Sequence, residues 1–103
     1  MPFSRLIEIS KCERNRGTFV RHGDLQLAVF LLDDPERVFV IDNTCPHAGG
    51  SLSSGEVESD IVSCPYHHWQ FDLKTGECVD AMRAQVKSYP AEIRDGAVWA
   101  DLP

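Results

Sequence analysis

Two short runs, Cys45-Pro46-His47 and Cys64-Pro65-Tyr66-His67, constrain this chain more than any other feature, because together they offer two thiolates and two imidazoles. Sixteen residues separate His47 from Cys64, enough to leave one loop, pass through a short hairpin and return with the second. A cysteine and a histidine from each loop then meet from opposite sides, so Cys45, His47, Cys64 and His67 are expected to form one metal site. Thiolates are the soft ligands of iron–sulfur clusters and zinc, while neutral imidazoles suit zinc or iron. Proline after each cysteine stiffens the loop, and Gly49-Gly50 lets backbone approach with no side chain in the way. Backbone N–H groups of Ala48 to Ser51 and of His68 to Trp69 are expected to donate to sulfur, as the surroundings of a tuned metal site do. Such donors suit a cluster carrying its own sulfides. A structural zinc ion would use the same four side chains, and the adjacent His68 stands as the alternative to His67.

The rest of the chain reads as short strands. Phe3 to Ile9 and Gly17 to His22 are followed by Leu25 to Leu32, with Gly23-Asp24 as the turn of a hairpin between the latter two. Asp33-Asp34-Pro35-Glu36 is a turn, and Val38 to Ile41 is a buried strand that ends where the first ligand loop begins. Ile61 to Ser63 leads into Cys64, Trp69 to Leu73 leaves the second loop, and Lys74-Thr75-Gly76-Glu77 closes it. Val86 to Ile93, interrupted at an edge or bulge by Pro90, and Ala97 to Leu102 are the last strands, joined at Arg94-Asp95-Gly96. The one place a helix is entertained is Glu8 to Arg14. This spacing predicts an all-β fold, an antiparallel sandwich or small barrel. A chain of 103 residues is expected to form one domain, residues 1–103, with the site on a subdomain at about 43–82. Phe19, Phe30, Phe39 and Trp99 are expected in the core, Trp69 in the core or over the ligand loop, and His22 as an ordinary strand or turn residue.

Sixteen acidic residues outnumber ten basic ones. Without a basic run to track a phosphate backbone, nucleic acid is not expected as a partner. The acids Glu56, Glu58, Asp60, Asp72, Glu77 and Asp80 face a single base, Lys74, between Asn43 and Met82. A basic docking partner would complement that segment, although solvated loop charge would give the same composition. No apolar run reaches the length of a bilayer span, and the N-terminal residues lack a signal-peptide pattern, so an intracellular, cytoplasmic chain is expected. In such a compartment cysteines beside histidines suggest metal more than cystine. Cys12 and Cys78 are expected as thiols, with a bond between them or a redox role for Cys78 left open.

Cys-x-His, sixteen residues, Cys-x-x-His resembles the ligand signature of Rieske-type 2Fe-2S proteins. The resemblance extends to Gly49-Gly50-Ser51-Leu52, Ser54-Gly55, Trp69-Gln70-Phe71-Asp72 and Thr75-Gly76. It implies a Rieske fold with one 2Fe-2S cluster, Cys45 and Cys64 on one iron and His47 and His67 on the other, the histidines near the surface for electron exchange. Relatives in respiratory complexes carry an extra cysteine in each loop, where this chain has Gly50 and Tyr66. They also carry a serine and a tyrosine donating to sulfur, where this chain has Trp69 and Phe71. Fewer donors and acidic surroundings both disfavour the reduced cluster, so the potential is expected near the lower end of a range of roughly −150 to +300 mV. A third, proline-containing loop covers the cluster in relatives; here Asp80-Ala81-Met82-Arg83 lacks the proline, and Met82 is the candidate cover.

No Ser-His-Asp set, phosphate loop or dinucleotide fingerprint is present. The resemblance therefore implies an electron carrier, a ferredoxin between an NAD(P)H-oxidising flavoprotein reductase and a terminal oxygenase or reductase. The alternative is the small subunit of an assimilatory NAD(P)H nitrite reductase, beside its large subunit. A second alternative is a zinc-stabilised interaction module.

Overall fold

The third strand explains the architecture. Leu25–Leu32 has the sequence LQLAVFLL, and every residue from Leu27 onward is buried. Successive strand side chains point to opposite faces, so a run this apolar must be covered on both. Leu27 and Val29 enter one core with Val40, Tyr89, Val98 and Ala100. Ala28, Phe30 and Leu32 enter a second with Ile41, Leu52, Val62, Phe71, Leu73, Val86 and both Cys45 and Cys64. One strand thus separates a base core from the core beneath the ligand loops.

The computed structural model describes residues 3–33, 35–46, 49–66, 68–79 and 84–103. Its strands are β1 (Phe3–Glu8), β2 (Arg16–His22), β3 (Leu25–Leu32), β4 (Arg37–Asp42), β5 (Val57–Glu58), β6 (Ile61–Ser63), β7 (Gln70–Asp72), β8 (Ser88–Tyr89), β9 (Ala91–Arg94) and β10 (Ala97–Asp101). They form three antiparallel sheets, β1-β10-β9, β2-β3-β4-β8 and β5-β6-β7. The first two sandwich the base core. The third belongs to the segment that carries the ligand loops. The expected all-β antiparallel fold is therefore the observed one. The β2–β3 hairpin closes at Gly23-Asp24, with Gly23 in the left-handed region at φ 61°.

Several expectations are corrected. Glu8 to Arg14 is not a helix; a single 3-10 turn spans Ile9–Lys11, bounded by extended residues on both sides. Pro90 does not interrupt one strand but separates two, because β8 pairs with β4 while β9 pairs with β10. A residue with no N–H to give sits where the ladder changes partner. Phe19 is not core: it lies on the edge strand and is 49% exposed. Trp99 is only half-buried, with its indole N–H donating to the Arg94 carbonyl at 3.0 Å and the Arg94 guanidinium over its ring at 4.5 Å. Phe30 is fully buried, while Phe39 and Trp69 are half-buried against the core under the loops. His22 is an exposed residue at the end of β2. Asp34 lies outside the described residues.

The base and the loop-bearing segment are cross-linked. Arg37, at the start of β4, reaches Asp60 in the β5–β6 turn at 2.8 Å, and Lys74 reaches the same carboxylate at 3.5 Å. Burial opposes ionisation of Asp60, but the hydrogen bonds and charges of Arg37 and Lys74 override it and hold the carboxyl below its usual range.

Candidate metal centre

Cys45 follows β4 by three residues and Cys64 follows β6 directly, and each starts a loop of the same length. In the first loop the Cys45 N–H donates to the Gly50 carbonyl at 2.8 Å; in the second the Cys64 N–H donates to Trp69 at 2.7 Å. The residue before each closing carbonyl is left-handed, Gly49 at φ 74° and His68 at φ 59°. Glycine adopts that conformation freely, and histidine is among the side chains more often found there.

These closures bring the two thiols together. Cys45 is 1% exposed and Cys64 fully buried, packed among Leu52, Val62 and Phe71. Burial pushes the Cys64 thiol up, the Tyr66 backbone N–H aimed at its sulfur pulls it down, and a hydrogen bond with the Cys45 thiol raises it again. A Cβ on Gly50 would stand 3.1 Å from the Cys64 Sγ and 3.3 Å from the Tyr66 ring. Gly50 therefore leaves the space through which the loops face each other. Pro46, Pro65, Tyr66 and His68 are exposed at the rim.

His47 and His67 lie outside the described residues, as do Ala48 and the stretch Asp80 to Arg83 with Met82. Among the described residues no cluster of three or more histidine, cysteine and acidic side chains is positioned to hold a metal ion. The expected sulfur donors are partly corrected. The Gly49 N–H is spent on the Cys45 carbonyl at 2.9 Å, and the N–H that meets the Cys64 sulfur belongs to Tyr66. None of the four cysteines forms a disulfide; Cys78 packs against the core containing Cys45 and Cys64, Cys12 against the base core.

One contributor escaped the sequence reading. Asn43 sits two residues before Cys45 and is 6% exposed. Its Oδ1 accepts the Ser53 N–H at 2.9 Å and its Nδ2 donates to the Ser51 Oγ at 2.9 Å. A polar residue directly before the loop, matched by Ser-x-Ser directly after it, was the available signal.

Two buried thiols from separate loops, backed by apolar side chains and a backbone donor, are chemically suited to a soft metal centre. Comparison with known proteins decides which family this is. The model of the Rieske-like [2Fe-2S] domain matches residues 2–101. The chain belongs to the Rieske-like [2Fe-2S] family. It is 30% identical over 96 residues to the ferredoxin component of the 2,4-dinitrotoluene dioxygenase system of Burkholderia sp. (strain RASC), covering 92% of this chain and 88% of that one. A ferredoxin from Sphingomonas yanoikuyae B1 superposes with a TM-score of 0.86 at 32% identity, over 99% of this chain and all of the other. A protein assigned as the NADH-dependent nitrite reductase small subunit of Mycobacterium tuberculosis gives 0.86 at 28% identity, over 96% and 93% of the two chains. The oxygenase component of the 3-ketosteroid-9-alpha-monooxygenase of Rhodococcus rhodochrous also matches, over 14% of its own length. The cofactor of this Rieske-type chain is a 2Fe-2S cluster, and its role is that of an electron carrier.

Proposed function

We propose that this chain is a low-potential Rieske ferredoxin in which Cys45 and Cys64 hold one iron of the cluster and His47 and His67 the other. The observation that carries the assignment is the pair of buried thiols, brought within hydrogen-bonding reach by two loops closed in the same way. The bound cluster would supply a centre that takes up and releases one electron at a time. The protein's own part is to exclude water with Leu52, Val62 and Phe71, to aim the Tyr66 N–H at the Cys64 sulfur, and to keep Gly50 clear of it. Burial favours the protonated Cys64, so this thiol would give up its proton to hold the metal, and loading is expected to be favoured as pH rises.

On this reading the electrons come from an NAD(P)H-dependent flavoprotein reductase and pass to a terminal oxygenase or reductase, in the cytoplasm. Residues 1–103 form one domain, with the cluster on a subdomain at about 43–82. The ferredoxin component of the dinitrotoluene dioxygenase system, matched over 88% of its length, supports the carrier role. A basic docking face on the partner would meet Glu56, Glu58 and Glu77, all exposed. Asp60 contributes less, being engaged by Arg37 and Lys74. Among the described residues no helix is long and apolar enough to cross a membrane.

A second reading, the small subunit of an NAD(P)H nitrite reductase, is favoured by the likeness to the M. tuberculosis protein. Protein purified without air is expected to show the visible and electron paramagnetic resonance spectra of a 2Fe-2S cluster. A colourless product with stoichiometric zinc and no labile sulfide would replace the Rieske reading with a zinc module. His67→Cys is expected to alter the spectrum, and an unaltered one would move the ligand to His68. Capture from native extract then separates the roles: a flavoprotein reductase or an oxygenase marks the carrier, a large sirohaem-containing reductase the subunit.

A further inference from the structure

We infer that Asn43 is a positioning residue for the first ligand loop, its carboxamide holding the far side of the loop so that Cys45 meets Cys64 at a fixed depth. The inference rests on the cluster-binding reading above and concerns a residue that contributes no ligand.

Among the described residues, Asn43 alone is both polar and buried. A primary amide taken out of water is costly unless its donors and acceptor are used. Here they serve one segment. The Asn43 N–H donates to the Gln26 carbonyl at 2.9 Å, which ties the start of the loop to the β2–β3 hairpin. Its carbonyl accepts the Leu52 N–H at 2.7 Å. Its Oδ1 accepts the Ser53 N–H at 2.9 Å, and its Nδ2 donates to the Ser51 Oγ at 2.9 Å, which in turn meets the Ser53 Oγ at 3.0 Å. A backbone N–H can only donate, so the atom facing Ser53 is oxygen and the amide orientation is fixed. Asn43 thus grips three consecutive residues on the return side, immediately after the Gly50 that closes the loop on Cys45.

The return side cannot shift to relieve a fault. A Cβ on Gly17 of β2 would lie 2.7 Å from the Ser53 Cα, so the 3-10 turn over Leu52–Ser54 already rests on bare backbone. With that turn pressed against β2 and held to Asn43, Cys45 has one available position. The neutrality of the amide matters separately. Aspartate has the same shape and can accept the Ser53 N–H, but adds a negative charge close to Cys45, which disfavours the reduced cluster.

The test uses the whole chain, both iron-loaded and metal-free. Asn43→Ala is expected to release iron to a chelator about 10- to 100-fold faster than wild type, as large as the affinity loss when groups that orient metal ligands are removed. It should also broaden the paramagnetic resonance lines and raise amide exchange at Leu52 and Ser53 in the metal-free protein, with Ala28 to Leu31 still protected. Asn43→Asp is expected to restore slow release while lowering the reduction potential. Wild-type release and exchange in Asn43→Ala would overturn the inference. So would a loss of protection in β3 as large as that at Leu52 and Ser53, which marks general destabilisation, or a failure of Asn43→Asp to slow release. If wild type takes up no iron and sulfide, the cluster reading falls instead, and exchange in the metal-free protein still decides the role of Asn43.

Discussion

The two ligand loops have the same length and the same closing hydrogen bond, yet they are held by different means. The first is braced from below by Asn43, Ser51 and Ser53, and it has glycine at the left-handed position. The second has His68 at that position and hangs from the β6–β7 ladder, through Val62 opposite Phe71 and Ser63 opposite Gln70. The ends of the first loop pair only through a single antiparallel bridge, Thr44 opposite Ser51, so side chains add the brace that a longer ladder would give. A loop at the tip of a hairpin inherits its geometry from the ladder. Equal loops therefore do not imply equal supports.

The largest perturbation should come where the supports cross. A Cβ on Gly55, just past the first loop, would lie 2.0 Å from the Ser63 carbonyl oxygen, one residue before Cys64. Backbone cannot yield as a flexible side chain can, so Gly55→Ala is expected to cost at least about 3 kcal/mol, at or beyond the usual range for overpacking. Denaturant unfolding would measure it; a loss below about 1 kcal/mol would mean that the two loops are not coupled at this crossing.

Joining the loops covalently should sharpen the comparison in the opposite direction. Gly50 and Tyr66 face each other, a Cβ on Gly50 standing 3.3 Å from the tyrosine ring and 3.1 Å from the Cys64 Sγ, so Gly50→Cys with Tyr66→Cys sets a thiol on each loop at facing positions while crowding that sulfur. The oxidised variant is expected to gain about 2 kcal/mol and to lose the cluster more slowly, because the bond limits separation of the loops in the unfolded chain. Thiol counting under denaturing conditions, oxidised against reduced, checks that the bond forms. If the bonded form bleaches no more slowly, separation of the loops is not what releases the cluster.

The smallest effect concerns the link between base and loop-bearing segment. Asp60→Asn removes the carboxylate shared by Arg37 and Lys74 and is expected to cost about 1 kcal/mol at neutral pH, discounted for partial exposure. The sign follows from the lowered pKa of Asp60. Its contribution is present above the unfolded-state value of about 4 and fades as pH falls through the lower folded value. Stability curves of variant and wild type should therefore converge in acid; a constant gap from neutral to strongly acid pH would contradict the charge account.

What could be read from the sequence was local. The turn at Gly23-Asp24, the strand Leu25–Leu32 and the cysteine-bearing loops all follow from residues adjacent in the chain. What escaped depended on distant partners. Phe19 alternates like a core residue, but on an edge strand its face extends past the cover provided by Leu52–Ser54. Pro90 announces a break without saying that the next strand joins another sheet. Asn43 looks like any turn residue until Ser51 and Ser53 fold back onto it. Cys45 and Cys64 were legible because metal chemistry restricts both residue type and spacing.

The pairing of β1 with β10 puts Phe3 opposite Asp101. The strands β1 and β10 thus lie side by side in the three-stranded sheet β1-β10-β9. A short bridge between β1 and β10 would leave their ladder undisturbed, and an opening at the Gly23-Asp24 turn would leave the strand register intact. By the same geometry the unit is portable: a host chain that leaves and returns through that pair of strands meets no obligation to reshape the loops above it.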